Sequence, residues 1–276
     1  MNANCKGHTL IELLIAMSLS MLIIAALVPV NMLSHRSVQQ VQQTEKQINL
    51  LSQSVKIMQA DLKTAALTAC TLDKSFLLTT LFNQYSVPPE KPVFSWISGY
   101  TKNGWFPEIP PFVNENNLDN LDALQIIKAD MSDLVSMESL AKTPQRIIFV
   151  TNCITSEITR SIDSKLLNSA QPPSELSVYA FQFIQYYVKE NLGKHTLYRQ
   201  YFSKSGRTRN EPLVDDILRL KIGYAETRAN STLVFNTAGN VRNWNNIVAI
   251  YISITLAGIL HNPLSVLVPL NNHAPM

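Results

Sequence analysis

The spacing of hydrophobic and polar positions changes character twice along this chain. From Leu10 to Leu33 most positions are apolar, and Glu12 is the one charge among them. From Arg36 to Ala66 there is no Gly or Pro, and the apolar positions thin to a stripe. Val41, Ile48, Val55 and Leu62 recur every seven residues, and Leu51, Met58 and Ala65 fill the intervening turns. A run of this kind predicts a continuous amphipathic helix. At 1.5 Å per residue, a helix from His8 to about Ala66 would be near 88 Å long. Gln39, Gln40, Gln42, Gln43, Glu45, Lys46, Gln53, Lys56 and Lys63 fall mostly off the stripe. Asp61 and Lys63 read as part of the solvated face. A free coiled coil would carry clearer charge pairs. The stripe instead predicts one helix face packed on a sheet of the same chain.

After a transition at Leu67–Asp73, the stretch from Phe76 to Leu118 is rich in Pro, Asn and aromatics and reads as irregular, with a short strand near Val93–Ile97. Trp96, Tyr100, Trp105 and Phe106 read as anchors of a long loop on the core, with a contact surface as the alternative. Strand signals then follow in series at 123–127, 146–150, 176–188, 196–201, 218–224 and 247–256. Asn191-Leu192-Gly193-Lys194 is a turn signal that makes a hairpin of its neighbours. Hairpin connections predict a mostly antiparallel sheet. One long helix followed by strands gives an α+β fold.

The uncharged stretch Leu13–Leu33 is about 21 residues, or roughly 31 Å of helix, enough to cross a bilayer. An ordinary signal peptide has a shorter apolar core and a small-residue cleavage site, which Ala25-Ala26 could mimic. A simple signal anchor is the other plain reading. Both leave Glu12 unexplained, since an acid at a bilayer centre costs about 2.5–3.5 kcal/mol on insertion scales and less near an end. Pro29 removes one backbone donor inside the run and predicts a kink or a loosened helix.

Composition narrows the functional classes. The 276 residues carry a net charge of +3 and only 16% charged positions, without a basic tract. That gives no footprint for specific nucleic-acid binding. The histidines at 8, 35, 195, 261 and 273 show no metal-ligand spacing. There is no Gly-rich phosphate loop and no Gly-x-Ser-x-Gly elbow. Asp215-Asp216 reads as a solvated turn. No catalytic residue, cofactor or metal site is expected.

The stretch Lys6-Gly7-His8-Thr9-Leu10-Ile11-Glu12-Leu13-Leu14-Ile15-Ala16 resembles the class III signal of type IV prepilins and type II secretion pseudopilins. In that pattern a short basic leader ends in Gly, then an aromatic residue and Thr-Leu-Ile-Glu open an apolar helix. His8 stands where the family usually has Phe. The resemblance implies a leader 1–7, cleavage by a prepilin peptidase after Gly7, and a new, methylatable N-terminus at His8. Glu12 becomes the fifth mature residue, the family's characteristic acid. Pro29 falls where the family often has a proline.

Several further segments are similar to PilW-like minor pilins: Gln59–Ala65 followed by Cys70, Thr151-Asn152-Cys153, Leu197-Tyr198-Arg199, Pro212–Ile217, Leu220–Tyr224 and Asn246–Ile250. Larger minor pseudopilins, GspJ-like proteins at the tip of a type II pseudopilus, share the same plan. Cleavage after Gly7 would remove Cys5 and leave Cys70 and Cys153 as an even pair. In an exported domain such a pair reads as one disulfide, with two buried free thiols as the alternative. The bridge would close about 84 residues, worth roughly 4–5 kcal/mol in the chain-entropy model.

The resemblance implies a leader at 1–7, a transmembrane and filament-core helix at 8–34, its periplasmic half at 35–70 and a globular head at 71–276. It implies residence in the bacterial inner membrane and then in the pilus filament or its tip. The implied partners are the prepilin peptidase, the other minor pilins and the major pilin. In the filament, Glu12 would meet the free amine of a neighbouring subunit's His8. A membrane-anchored adhesin or binding module is the reading from a different class.

Overall fold

The computed structural model describes residues 8–65, 96–102, 104–106, 121–130, 148–151, 156–159, 177–202, 208–228, 232–258 and 263–270. The chain divides into two compact units, Met1–Asn49 and Leu50–Met276. Helix α1 spans His8–Lys63 and carries Pro29 in its interior.

In the first unit, α1 is a single helix without packed neighbours among the described residues. Its large apolar side chains from Leu10 to Leu33 are all between 47% and 76% exposed. Ser18 and Ser20 donate back to the carbonyls of Ile15 and Ala16 at 2.9 and 2.7 Å. Those bonds satisfy the hydroxyls within the helix, which is what a lipid-facing segment requires. By length and composition this helix can cross a membrane.

In the second unit the helical stripe finds its partner. Leu51, Val55, Met58, Leu62 and Ala65 are buried and share one core with strands of two sheets. Val41 and Ile48, which continue the same spacing in the first unit, stay 64% and 41% exposed. The helix ends at Lys63, followed by a turn at Thr64 and Ala65.

The strands are β1 (Ile97–Thr101), β2 (Gly104–Phe106), β3 (Ala123–Asp130), β4 (Ile148–Thr151), β5 (Ser156–Thr159), β6 (Ser177–Asn191), β7 (Lys194–Phe202), β8 (Thr208–Val214), β9 (Ile217–Thr227), β10 (Leu233–Asn236), β11 (Ile247–Leu256) and β12 (Leu264–Pro269). Every pairing among them is antiparallel. The larger sheet has the order β2-β1-β3-β6-β4-β5, with β7 on β6 and β8 on β7. Strand β6 organises it. Residues Ala180–Tyr186 pair with β3 along one edge, while β4 and then β7 share the other. The smaller sheet runs β10-β9-β11-β12. Leu220, Ile222 and Tyr224 of β9 face the core beside Ile250, Ile252 and Ile254 of β11, the period-two pattern of a sheet buried on one side.

The expected α+β architecture is therefore present. Each strand signal coincides with an observed strand; the short one near Val93–Ile97 meets β1 at Ile97, and residues 93–95 lie outside the described residues. Strands β2, β5, β8, β10 and β12 were not legible. Strand β8 is mostly polar and exposed and contains Pro212, which suits an edge. The β6–β7 hairpin turns through Leu192 (φ 53°) and Gly193 (φ 76°), the two positive-φ positions of a type I′ turn.

Candidate functional site

The apolar entrance to α1 brings together the positions that sequence singles out. His8 is the first helical residue and Glu12 stands exposed one turn further on. Helix α1 runs on through Pro29 without interruption. Gly7 lies outside the described residues, as do Cys70 and Cys153, so their pairing remains an expectation.

A second constellation lies at the other end of the helix. Asp61 does not lie on the solvated face that its charge suggests: it is only 4% exposed. Its Oδ1 accepts from Lys128 Nζ at 2.8 Å. Its Oδ2 accepts from the Tyr186 hydroxyl at 2.5 Å and from Arg199 Nε at 2.8 Å. The donors come from three neighbouring strands, β3, β6 and β7, so one helical carboxylate is held by the middle of the larger sheet. Arg199 is positioned in turn by Glu211 at 3.6 Å and by the Tyr201 ring, 4.7 Å below its guanidinium carbon. Two cations and two carboxylates balance to zero.

Burial alone would raise the Asp61 pKa, but the hydrogen bonds from Arg199, Lys128 and Tyr186 outweigh it and hold the carboxyl below its ordinary value. Burial, reinforced by the Asp61 charge, drives the Tyr186 phenol far above its ordinary value. Arg199 also moves up, because the bond and charge of Asp61 outweigh burial. None of these groups is poised to exchange a proton near neutral pH. The cluster is an anchor, built of strong charge-assisted bonds.

A signal for it existed. Leu51, Ser54, Met58, Asp61 and Ala65 follow one another at alternating spacings of three and four, and all five are buried. Helical geometry puts Asp61 on the stripe rather than beside it. Lys128, Tyr186 and Arg199 become neighbours only through strand pairing, which no local pattern reveals.

Trp96 and Trp105 are each 6% exposed. Trp105 packs with Ala123 and Tyr187, and its ring lies 5.3 Å from Tyr100. Both tryptophans are therefore anchors on the body of the head. Asp215 and Asp216 sit in the turn between β8 and β9, where Asp215 accepts from Thr196 Oγ1 at 2.7 Å. Among the described residues no group of His, Cys, Asp or Glu could hold a metal ion.

Comparison with known families returns two matches. The model of the prokaryotic N-terminal methylation motif matches residues 2–28. The model of type IV pilus-assembly protein W, PilW, matches residues 185–266. That second span runs from the middle of β6 into β12 and includes Tyr186 and Arg199. Neither the curated proteins nor the solved structures gave a match. The matched families are structural components of the pilus rather than enzymes. A methylation motif opening an apolar, membrane-length helix, followed by an antiparallel head whose C-terminal half matches PilW, supports a PilW-like type IV prepilin-like protein with a minor-pilin role.

Proposed function

We propose that this chain is a minor pilin that takes part in initiation and assembly of the type IV pilus, and so in twitching motility and adhesion. The carrying observation is the pair of family matches at residues 2–28 and 185–266, placed on the two parts of the chain that a pilin needs. Prepilin peptidase cuts after Gly7, and His8 becomes the methylated N-terminus. Until then the helix is held in the inner membrane with the head in the periplasm. Residues 8–34 form the membrane and filament-core segment, 35–70 continue toward the head, and 71–276 make up the head. Cys70 and Cys153 form its one disulfide.

The driving chemistry is charge neutralisation. Glu12 is a carboxylate in an apolar segment, and leaving it unpaired in lipid is unfavourable. The amine freed at His8 of a neighbouring subunit offers it a counter-charge in low dielectric, which offsets desolvation and fixes axial register. The amine is created by the cut, so processing gates assembly. Partners follow from this: the peptidase, other minor pilins and the major pilin.

The decisive experiment is the intact mass and terminal sequence of the mature chain, with and without the prepilin peptidase. A chain beginning at His8 only when the enzyme is present supports the proposal. A chain that keeps Met1, or one cut near Ala26, refutes it. At the next step, a Glu12→Ala chain that entered pili at the normal level would remove the role given to Glu12.

A further inference from the structure

The outer face of the smaller sheet is not uniform. Strand register places Arg219 beside Thr255, Lys221 beside Ser253 and Gly223 beside Tyr251, while Ser265 and Leu267 of β12 pair with Ser253 and Tyr251 on the far side of β11. Opposite them the edge strand β10 presents Phe235, 54% exposed. Between these groups lies an open cleft of about 790 Å³ that also reaches Asp122. Its volume is in the range of small-ligand sites.

Gly223 makes the hollow. A Cβ there would meet Tyr251 Cβ and Cδ1 at 3.6 Å, so the tyrosine already leans against the bare backbone. The Tyr251 hydroxyl donates to Ser265 Oγ at 2.8 Å, and Ser265 donates to Ser253 Oγ at 3.2 Å. The ring is thereby held as one wall, with Phe235 available as another. Arg219 and Lys221 are exposed at the cleft and form no ion pair with a described residue. Asp122 is the one carboxylate among the described residues lining the cleft and feels the charge of Lys221, so with Arg219 the lining is net positive. Its Oδ2 is committed to the Ile222 amide at 2.9 Å, and burial raises its pKa.

We propose that this cleft binds an acidic saccharide, with a sugar ring against Tyr251 and Phe235 and its carboxylates on Arg219 and Lys221. Cations over a ring-walled hollow select an anion that also carries a flat, partly apolar body. The openness of the cleft offers no enclosed pit for a peptide side chain, the usual anchor of a protein partner. This site is independent of the pilus reading and does not involve Glu12.

The test is calorimetric titration of the full chain in detergent micelles at low salt with tetragalacturonate, maltotetraose and tetraglutamate. Binding of tetragalacturonate, at least tenfold weaker binding of the other two, and tenfold losses in Arg219→Ala/Lys221→Ala and in Gly223→Val are expected. Gly223→Val fills the hollow at ordinary contact distances, and Tyr251→Leu removes the ring should the valine variant fail to fold. Tryptophan fluorescence melting verifies folding in each case. Absence of binding to the parent chain overturns the proposal, as does tetraglutamate binding equally well. So does unchanged affinity in whichever folded variant, Gly223→Val or Tyr251→Leu, is measured.

Discussion

Replacing Asp61 by Asn isolates the buried anchor, because the change keeps shape and removes only the charge. The parent carboxylate accepts three bonds of 2.5–2.8 Å from Tyr186, Lys128 and Arg199. The amide leaves two cations facing a neutral group. Removing one partner of a fully buried ion pair costs about 3–5 kcal/mol. Here the loss is smaller, since the Lys128 and Arg199 side chains are 16% and 15% exposed and Arg199 keeps Glu211. About 2–3 kcal/mol at pH 7 is the expected destabilisation. All three tryptophans, Trp96, Trp105 and Trp244, are buried in the second unit, so fluorescence in urea reports unfolding of the head and not of the membrane helix.

The pH dependence gives an independent check. The folded pKa of Asp61 lies below its ordinary value of 3.8. Its stabilisation is therefore complete above that value and is lost as pH falls through the folded pKa. The parent and the Asp61→Asn chain should differ fully at pH 6–7, begin to approach one another as pH falls past the ordinary carboxylate value of 3.8, and converge only below the folded pKa of Asp61. A difference under about 0.5 kcal/mol at pH 7, the level of ordinary surface changes, would refute the anchor, and so would a gap that ignores pH.

Two further substitutions probe the body of the head. Gly99→Ala would place a Cβ 2.2 Å from the Tyr224 hydroxyl oxygen and 2.7 Å from Ala238 Cβ, and Tyr224 is fully buried with its ring 4.8 Å from Trp244. A loss of about 2–3 kcal/mol in urea unfolding is expected, partly relieved by adding Tyr224→Phe. Leu192→Asn should raise stability by about 1 kcal/mol in the same assay, because a 96% exposed leucine at φ 53° gains nothing from burial and strains the turn.

What could be read in advance was whatever is local in the chain. The apolar run, the stripe after it and the turn at Leu192-Gly193 each write their structure into consecutive residues. Long strands such as β6, β9 and β11 show period-two or densely apolar runs. Strand β8, at a sheet edge, carries too few apolar positions to announce itself, and β10, Leu-Val-Phe-Asn, is too short for its apolar run to show a period. The Asp61 cluster was hidden differently. The charge of one residue argued for solvent, while the helical spacing argued for burial, and the donors that decide the matter come from strands 67, 125 and 138 residues away. Those separations cannot be bridged by any window on the sequence.

The anchor also answers a problem that the stripe creates. Leu51, Val55, Met58 and Leu62 are similar in size and repeat at spacings of three and four, so their apolar contacts alone hardly distinguish one seating of the helix from another a turn away, about 5.4 Å along its axis. Asp61 does distinguish them. A shift of one turn would bury a carboxylate without its three donors and strand two cations opposite apolar groups. A buried polar cluster can therefore set register even where an apolar one would match its stability. Replacing Asp61, Lys128 and Arg199 by Leu, Met and Met should leave the urea midpoint equal to or above the parent value. A cysteine introduced at Leu62 should then cross-link to a single partner position in β6 in the parent background and to positions a turn apart in the triple variant. Cross-linking confined to one position in both backgrounds would mean that packing alone fixes the helix, leaving the anchor only a contribution to stability.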